Sequence, residues 1–235
     1  MMKRVIFLRH GQALHNPRAE AARTAGCSFE EFLRLMKEDD AFDAALTATG
    51  RRQAQSAAKQ VEAAVTSVRL VVVSPLSRAI DTALLTMPEL TKNTPMIAHD
   101  DLRERSGWLL NAKRRPRSEL ALRYPSCDFT SNLPTEEDKL WTEELEPTDR
   151  CAERGYRLLH WLAARPEPEI AVVGHGGLFH FTLNEHPQVR ASDARTAARF
   201  GNCELRTCIM TWQGEGSLRT FALQNAEPAS STAEC

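Results

Sequence analysis

Three short segments of the chain combine histidine, arginine, serine and glycine in a way that suits the chemistry of phosphate. They are Arg9-His10-Gly11, Ser74-Pro75-Leu76-Ser77-Arg78 and Gly174-His175-Gly176-Gly177. An arginine guanidinium matches phosphate oxygens with its fork of donors, and a neutral histidine can attack phosphorus to form a covalent intermediate. If the segments converge, they predict a phosphate pocket in which a histidine accepts the phosphoryl group.

Each segment directly follows a short apolar run that indicates a buried strand. The runs are residues 5–8, 70–73 and 169–173, and helical patterns alternate with them. This alternation predicts an α/β fold, a three-layer α/β/α sandwich with a mostly parallel central sheet. Because ligands of such sheets bind beyond the carboxyl ends of the strands, the three segments are expected to meet at one edge.

The helix predictions rest on capping residues and composition. Ser28 and Glu31 form a capping box before one helix, and Thr47 is expected to cap a second helix that extends to about Val65. Further helices are predicted over residues 77–87 and 148–164.

The remaining segments predict a hairpin, a cap and a tail. Residues 204–212 and 217–223 flank Gly214-Glu215-Gly216, which is typical of an antiparallel β-hairpin at the edge of the sheet. Residues 99–150 are irregular and punctuated by prolines, so we expect an inserted cap. The chain is therefore predicted to form one catalytic domain over residues 1–226, with a disordered tail at residues 227–235.

The charge balance limits the classes of partner. The 235 residues carry 30 lysines and arginines against 31 aspartates and glutamates, a formal net charge of −1. Proteins that bind nucleic acids or membrane surfaces usually show a basic excess, and no apolar run approaches the roughly 20 residues of a membrane span. We expect a small phosphorylated substrate as the partner, and neither nucleic acid nor membrane. The oligomeric state stays open because no interface stripe is evident.

The six cysteines indicate a reducing compartment. They are scattered and include no CxxC pair, so we interpret them as reduced thiols and expect a cytoplasmic protein. The possible metal ligands are not spaced like a metal centre, and the arginines of the predicted pocket would repel a metal ion. We therefore expect neither a metal ion nor another cofactor.

In their order along the chain, these segments resemble the motifs of the histidine phosphatase superfamily, also called phosphoglycerate-mutase-like, in its RHG-motif branch. The resemblance covers roughly residues 5–180, and it is specific because the motifs occur together. The matching segments are Leu8-Arg9-His10-Gly11-Gln12-Ala13-Leu14-His15-Asn16, Leu46-Thr47-Ala48-Thr49-Gly50-Arg51-Arg52-Gln53-Ala54, Ser74-Pro75-Leu76-Ser77-Arg78-Ala79-Ile80-Asp81-Thr82-Ala83, Leu102-Arg103-Glu104 and Val172-Val173-Gly174-His175-Gly176-Gly177.

The resemblance implies a role for each residue of the site. His10 would be the nucleophile that becomes phosphohistidine, and Glu104 would be the general acid that later activates water. The residues that would hold the phosphoryl oxygens are Arg9, Asn16, Arg78, His175 and Gly176. Arg9 and Arg78 are also expected to lower the pKa of His10, since their charges disfavour the imidazolium.

Two of these residues have an alternative interpretation or an additional requirement. Glu104 could be a surface glutamate paired with Arg103 or Arg105. Arg78 lies in the first turn of a predicted helix, where its charge opposes the helix dipole. It therefore needs an acidic partner or an anionic ligand.

Two departures from the mutase pattern favour hydrolysis. Mutases of the family usually carry a hydroxyl three residues after the nucleophilic histidine, where this chain has Ala13. They also carry an Arg-His-Tyr-Gly type sequence after the acid, where this chain has Arg105-Ser106-Gly107-Trp108. The leading prediction is a metal-independent phosphatase that hydrolyses a phosphomonoester through a phosphohistidine on His10. The alternatives are a cofactor-dependent phosphoglycerate mutase and a catalytically weak adaptor that recognises phosphate.

The predicted cap divides its charge into two blocks. Basic residues dominate the range 103–123, and acidic residues dominate the range 136–153. In one interpretation, residues 113–117 add positive potential at the mouth of the cleft and attract anionic substrates. In the other, the two blocks pair with each other or stay solvated.

Overall fold

A mixed sheet of eight strands runs through the computed structural model, which describes residues 1–226. Its strands are β1 (Met2–Arg9), β2 (Leu70–Val73), β3 (Met96–Ala98), β4 (Cys127–Asp128), β5 (Glu169–Gly174), β6 (Val189–Ala191), β7 (Leu205–Gln213) and β8 (Thr220–Asn225). Their spatial order is β4-β3-β2-β5-β1-β7-β8-β6, and the five neighbours from β4 to β1 are parallel. The predicted disordered tail, residues 227–235, lies outside the described residues.

Nine α-helices accompany this sheet within residues 1–226. They are α1 (Pro17–Thr24), α2 (Phe29–Glu38), α3 (Ala48–Ala64), α4 (Ser77–Thr86), α5 (Pro88–Asn93), α6 (Arg117–Arg123), α7 (Thr148–Ala164), α8 (Gly176–Glu185) and α9 (Ala194–Ala197). The predicted caps are present: Ser28 Oγ accepts the N–H of Glu31 at 3.1 Å, and Thr47 Oγ1 accepts the N–H of Gly50 at 2.9 Å. Among these helices, none combines the length and the apolarity that crossing a membrane requires.

Helices cover both faces of the sheet. Val5 and Phe7 of β1 belong to a core shared with α7 and α8, whereas Ile6 and Leu8 belong to a core shared with α3 and α4. Successive side chains of a strand point to opposite faces, so a strand that is covered on both faces must be apolar throughout. This explains the continuous apolar runs, and the predicted three-layer α/β/α sandwich is confirmed.

The three strands that precede the chemical segments are direct neighbours. β5 lies between β2 and β1, and the parallel register aligns both Leu8 and Val73 with Val173. The carboxyl ends of these strands therefore reach the same edge of the sheet. Segments that are distant along the chain begin side by side there.

On the other side of β1 the sheet becomes antiparallel. β7 pairs with β1, and β8 pairs with β7 as the predicted hairpin requires. Beyond the hairpin, however, β6 pairs parallel to β8 and forms the edge. With only three residues, β6 is too short to show a periodicity. The hairpin therefore lies one strand inside the edge at which it was predicted.

The segment at residues 99–150 is more regular than predicted. It contains α6 and also β4, which pairs with β3 and forms the second edge of the sheet. Its two charge blocks contact each other, because Arg103 pairs with Asp138 and Arg117 Nε lies 3.6 Å from Glu136 Oε2.

Arg114 shows how this pairing uses a basic side chain that could otherwise attract substrates. Its side chain is 0 % exposed, and its Nε lies 3.2 Å from Asp100 Oδ1. Its terminal nitrogens donate to the carbonyl oxygens of Thr135, Glu136 and Glu137 at 2.8–3.0 Å. Such partners are what a buried guanidinium needs. These contacts favour pairing of the two blocks over attraction of anions by Arg114.

The helices α1 and α2 pack against each other around a third, small apolar cluster. Its members are Ala19, Leu35, Met36 and Leu109, with Ala22, Phe32 and Trp108 packed against them. The cluster is separate from the two cores of the sheet. Apolar contacts that belong to neither core of the sheet therefore hold α1 and α2 together.

Candidate active site

His10, Arg78 and His175 lie against one another at the carboxyl edge of the sheet. The ring centroids of His10 and His175 are 4.9 Å apart. Arg78 lies beside both rings: its Nε is 3.3 Å from His10 Nε2, and its Nη2 is 3.4 Å from His175 Nδ1. At most 1 % of each residue is exposed, so the three residues form a buried cluster.

The hydrogen bonds of His10 identify the ring nitrogen that can act as a nucleophile. Nδ1 lies 2.6 Å from the carbonyl oxygen of Gly11, and because a carbonyl only accepts, Nδ1 carries the hydrogen. Nε2 therefore holds the lone pair and accepts the N–H of Arg78 Nε. The nitrogen that faces the cluster is thus the one able to attack phosphorus.

The main chain around His10 is held by residues far away in the sequence. The N–H of His10 donates to Gly174 O at 3.1 Å, and its carbonyl oxygen accepts Asn202 Nδ2 at 3.4 Å. The N–H of Gly11 donates to Thr82 Oγ1 at 3.1 Å. Thr82 and Asn202 thus position His10 and Gly11 through the backbone, a tertiary role that no local pattern predicts.

His175 has the opposite tautomer. Its Nδ1 faces Arg78 Nη2, and because a guanidinium only donates, Nδ1 is an acceptor. The hydrogen of the neutral ring is then on Nε2, which donates to Ser74 Oγ at 2.8 Å. Ser74, the first residue after β2, therefore orients the second histidine of the cluster.

Burial and positive charge keep both histidines neutral. Burial lowers the pKa of His10 well below its usual range, and the charges of Arg78 and Arg9 lower it further. Burial, followed by Arg78, acts on the pKa of His175 in the same way. The predicted effect of the arginines on His10 is therefore present, although burial is the larger cause. A neutral His10 keeps the lone pair that nucleophilic attack requires.

Arg78 has the acidic neighbours that its place in the first turn of α4 demands. The buried carboxylate of Asp43 accepts the N–H of Ser77 at 2.8 Å and also the hydroxyl of Ser77. Asp43 thus caps α4 from outside the helix. Burial lowers the pKa of Arg78 to about 10, while Glu104 and Asp43 offset part of that effect. Arg78 is therefore a cation at neutral pH.

Arg9 reaches the same edge from the end of β1 and is held by an acidic residue. Its Nη1 donates to Phe200 O at 2.8 Å, and its Nη2 pairs with Glu20 of α1. Its Nε is buried and has no hydrogen-bond partner within the described residues. A Cβ at Gly176 would lie 3.1 Å from that Nε, so glycine there lets Arg9 pass beside the start of α8.

Glu20→Gln is expected to tighten the binding of phosphate-like anions. The carboxylate of Glu20 holds the Arg9 guanidinium, so an anion that binds Arg9 must compete with it. A partly exposed ion pair contributes up to about 1 kcal/mol, which corresponds to a Kd for orthovanadate about fivefold lower in the variant. Calorimetric titration with orthovanadate checks this, with Glu38→Gln on α2 as the control. An unchanged or higher Kd would mean that Glu20 only positions Arg9.

Glu104 lies at the N-terminus of α8. Its Oε1 accepts the N–H of Leu178 at 3.0 Å, and its Oε2 accepts that of Gly177 at 3.2 Å. A Cβ at Gly177 would come within 2.2 Å of Oε1, so a residue with a side chain would displace the carboxylate. The second glycine after His175 therefore allows Glu104 to approach the cluster.

The alternative in which Glu104 pairs with a neighbouring arginine is not what the structure shows. The guanidinium of Arg103 pairs with Asp138. Arg105 turns its Nε toward the carbonyl oxygen of Glu146, at 2.6 Å. The Glu104 carboxylate is thus held by main-chain N–H groups and remains beside the site.

A cavity of about 110 Å³ opens next to the buried cluster. Of the predicted site residues, those that line it are Arg9, Asn16, Glu104 and Gly176. Asn16 is buried, and its Oδ1 accepts the N–H of Ala13 at 3.0 Å, which closes the loop after His10. Every predicted site residue therefore lies either in the cluster or on the wall of this cavity.

The charges of the site suit an anion. Arg9 and Arg78 supply guanidinium groups, which bind phosphate oxygens through charge-assisted hydrogen bonds. Within residues 1–226, no group of three or more histidine, cysteine, aspartate or glutamate side chains is arranged to hold a metal ion.

His15→Gln is expected to make the protein less sensitive to acid. Burial, followed by the charges of Arg78 and Arg9, lowers the pKa of His15 well below its ordinary value of 6.5. Below pH 6.5 the unfolded chain binds this proton and the folded protein does not, so stability falls as the pH drops. Removing the group should reduce that slope by up to about 1.4 kcal/mol per pH unit.

Urea unfolding at pH 8, 7, 6 and 5 measures this slope. Between pH 8 and 7 the variant and the parent protein should change in parallel, because His15 is neutral in both states there. Equal slopes between pH 6 and 5 would show that His15 binds its proton in the folded protein as well.

Comparison with known proteins finds a matching family model and similar sequences. The family model described as histidine phosphatase superfamily (branch 1) matches residues 5–223. Phosphoglycerate mutase-like protein 1 of Arabidopsis thaliana is 31 % identical, over 88 % of this chain and 81 % of the relative. Phosphoglycerate mutase-like protein of the same plant is 29 % identical, over 90 % of this chain and 86 % of the relative.

Solved structures share the fold. A mycobacterial glucosyl-3-phosphoglycerate phosphatase aligns with a TM-score of 0.54 at 21 % identity, over 95 % of this chain and 97 % of the other. The ecdysone phosphate phosphatase of Bombix mori aligns with a TM-score of 0.54 at 17 % identity, over 96 % and 92 %. At such identities the likeness concerns the fold.

Proposed function

The chain belongs to the histidine phosphatase superfamily, and on that premise we propose that it hydrolyses a phosphomonoester, without a metal ion, through a phosphohistidine on His10. The observation that carries the proposal is the state of His10. A neutral ring presents the lone pair of Nε2 to a cluster that contains Arg78 and His175. A nucleophile, a cation and a second histidine thus lie around one point.

In the first step, Nε2 of His10 attacks the phosphorus atom. The new P–N bond forms while the bond between phosphorus and the ester oxygen breaks. Glu104 enters this step protonated, donates its proton to the departing oxygen and becomes the carboxylate. Arg9 and Arg78 hold the phosphoryl oxygens, where negative charge is concentrated in the transition state. For this to happen, the incoming phosphoryl group replaces Glu20 as the partner of Arg9. It also replaces His10 Nε2 as the acceptor of the Arg78 Nε–H.

In the second step, water attacks the phosphohistidine. The Glu104 carboxylate accepts a proton from the water, the P–N bond breaks, and inorganic phosphate leaves His10 neutral again. The base in this step is the Glu104 carboxylate, which accepts two main-chain N–H groups at the start of α8.

His175 contributes by changing its protonation state. Without an anion, its Nδ1 is an acceptor toward Arg78, and an acceptor would repel a phosphoryl oxygen. A phosphate dianion beside the ring favours the imidazolium, which counteracts burial and the arginine charge. The protonated Nδ1 then donates to the phosphoryl oxygen, while Nε2 keeps its bond to Ser74.

The loop after His10 lacks a hydroxyl at position 13, and this favours hydrolysis over phosphoryl transfer between two substrate hydroxyls. Position 13 is alanine, wholly buried and paired in an isolated bridge with Leu46. The loop therefore offers no side-chain hydroxyl at that position to hold a second group of a mutase substrate.

The test is a phosphoenzyme trap in the presence of EDTA. The protein is mixed with radiolabelled phenyl phosphate, quenched in alkali within milliseconds, and assayed for protein-bound phosphate that acid releases. We expect turnover and a labelled protein with this acid-labile linkage. Isomerisation of phosphoglycerate that depends on a bisphosphoglycerate would indicate a mutase, and phosphate binding without turnover would indicate an adaptor.

A further inference from the structure

The cavity beside the cluster has an apolar wall that the chemistry of the phosphoryl group does not use. The apolar wall consists of Phe29, Phe32, Leu33 and Met36, all on α2. The rings of Phe29 and Phe32 are stacked, with centroids 6.2 Å apart and planes within 16°. Phe29 is 57 % exposed, so its ring is accessible to a molecule that enters the cavity.

Three arginines that line this cavity form no ion pair within residues 1–226, and one of them, Arg105, donates to the carbonyl oxygen of Glu146 instead. Neither Arg23 nor Arg199 forms an ion pair with a carboxylate within residues 1–226, whereas Arg9 on the same cavity is paired with Glu20. We call Arg23 and Arg199 the arginine pair. The guanidinium carbon of Arg23 lies 3.5 Å from the centroid of the Phe32 ring, so it sits on the apolar wall.

The electrostatics of the arginine pair is unfavourable without an anion. Burial lowers the pKa of Arg23 and the charge of Arg199 lowers it further, while Glu20 and Glu104 offset part of this effect. Burial also lowers the pKa of Arg199; Glu104 offsets part of this, and Arg9 adds to it. The charge of Arg199 acts on Arg23 at a partly desolvated site, and a bound anion would offset that repulsion.

The cavity offers an apolar surface on one side and cationic donors on the other. Its two asparagines are engaged within the protein: Asn111 Nδ2 donates to Asp40 at 2.9 Å, and Asn16 Oδ1 accepts the N–H of Ala13. The arginine pair favours an anion over a hydroxyl, because charge-assisted hydrogen bonds are the stronger ones. A flat apolar leaving group buries its surface on the wall.

We propose that the substrate is the phosphomonoester of a phenol that carries a second anionic group, such as a carboxylate. The aromatic body lies on the apolar wall, and the second anion binds the arginine pair. The inference rests on the proposed function and assigns its leaving group. Arg23, Arg199 and Phe32 then determine specificity.

Three substrates separate the parts of this proposal. 4-Carboxyphenyl phosphate carries both features, and 4-carbamoylphenyl phosphate keeps the shape without the charge. 3-Phosphoglycerate has the second anion without the apolar body. We expect kcat/KM for the carboxylate to exceed that for the carbamoyl compound about tenfold, the effect of one charge-assisted contact. 3-Phosphoglycerate should be the poorest of the three.

Variants assign the effect to residues. Arg23→Gln and Arg199→Gln should each lower kcat/KM for 4-carboxyphenyl phosphate about tenfold through KM, and leave the carbamoyl compound within about twofold. Phe32→Ala should raise KM for both aryl substrates, and more for the carboxylate because Arg23 lies on the Phe32 ring. Arg52→Gln on α3, an exposed arginine away from the cavity, is the matched control and should change neither.

The outcomes distinguish this inference from the proposed function. Turnover of the aryl substrates with no preference for the carboxylate, or equal losses on both in the arginine variants, overturns the inference and leaves the phosphatase in place. A preference for 3-phosphoglycerate overturns the role of the apolar wall. If none of the substrates is turned over and no phosphoenzyme is trapped, the proposed function itself fails.

Discussion

Replacement of His10 by asparagine is expected to lower the turnover of every phosphomonoester by roughly 10⁴-fold or more, the scale seen when an enzyme loses its nucleophile. Asparagine keeps a donor near the Gly11 carbonyl but has no Nε2 lone pair to attack phosphorus. The acid-labile protein phosphate should disappear together with the activity. Steady-state kinetics and the alkaline quench measure both losses on one preparation.

The control is His180→Asn, the same substitution at a histidine on α8 that does not line the cavity. It should keep full turnover and the same yield of phosphoenzyme. His10→Asn should also still bind orthovanadate, because Arg9 and Arg78 remain. An acid-labile phosphoprotein in the His10 variant would place the nucleophile elsewhere.

Replacement of Glu104 by glutamine is expected to have an effect that depends on the leaving group. For an alkyl phosphate, whose oxygen needs a proton as it departs, the rate should fall about 10²- to 10⁴-fold. With 4-nitrophenyl phosphate the departing phenolate is stable without a proton, so the first step should persist. The second step still lacks its base, so one equivalent of nitrophenol should appear in a burst before a slow steady state.

Stopped-flow absorbance measures the burst, and Glu119→Gln on the exposed side of α6 is the matched control. Thermal unfolding of both variants reports whether α8 keeps its place without the carboxylate on Gly177 and Leu178. Equal losses on both substrates, with no burst, would mean that Glu104 acts only by positioning α8.

Much of the site could be predicted because its residues follow strands. His10, Ser74 and His175 come directly after β1, β2 and β5, and parallel strands bring their carboxyl ends to one edge. The glycines after His175 were part of the same pattern. Their physical reason, the close approach of Arg9 and Glu104, became visible only in three dimensions.

Other contacts could not be predicted, because their partners are distant in the sequence. Asp43 caps α4 across 34 positions, where a local pattern would have the residue before Ser77 do so. Glu20 and Arg23 lie on α1, whose first residue follows Asn16 without a side-chain cap. The signal that could have found this helix is Asn16-Pro17, an asparagine before a proline at the first helical position; the helix and its contributions to the cavity were missed.

The short strands and the charged segment show the same limit. β4 and β6 have two and three residues, too few for a periodicity. The basic and acidic blocks were visible as composition, but both pairing and attraction of anions fitted them. The buried guanidinium of Arg114 favours pairing, since its main-chain and acidic partners account for its charge.

If the apolar wall binds the leaving group as proposed, the separate cluster under α1 and α2 lets that surface change without repacking of the sheet. Those two helices contact each other through Ala19, Leu35 and Met36, outside the cores that hold the reacting histidines. Because neither core of the sheet includes α2, substitutions there leave the packing behind His10 and His175 unchanged. Laboratory selection for a new ester should therefore yield substitutions on α2 before any in the two cores of the sheet.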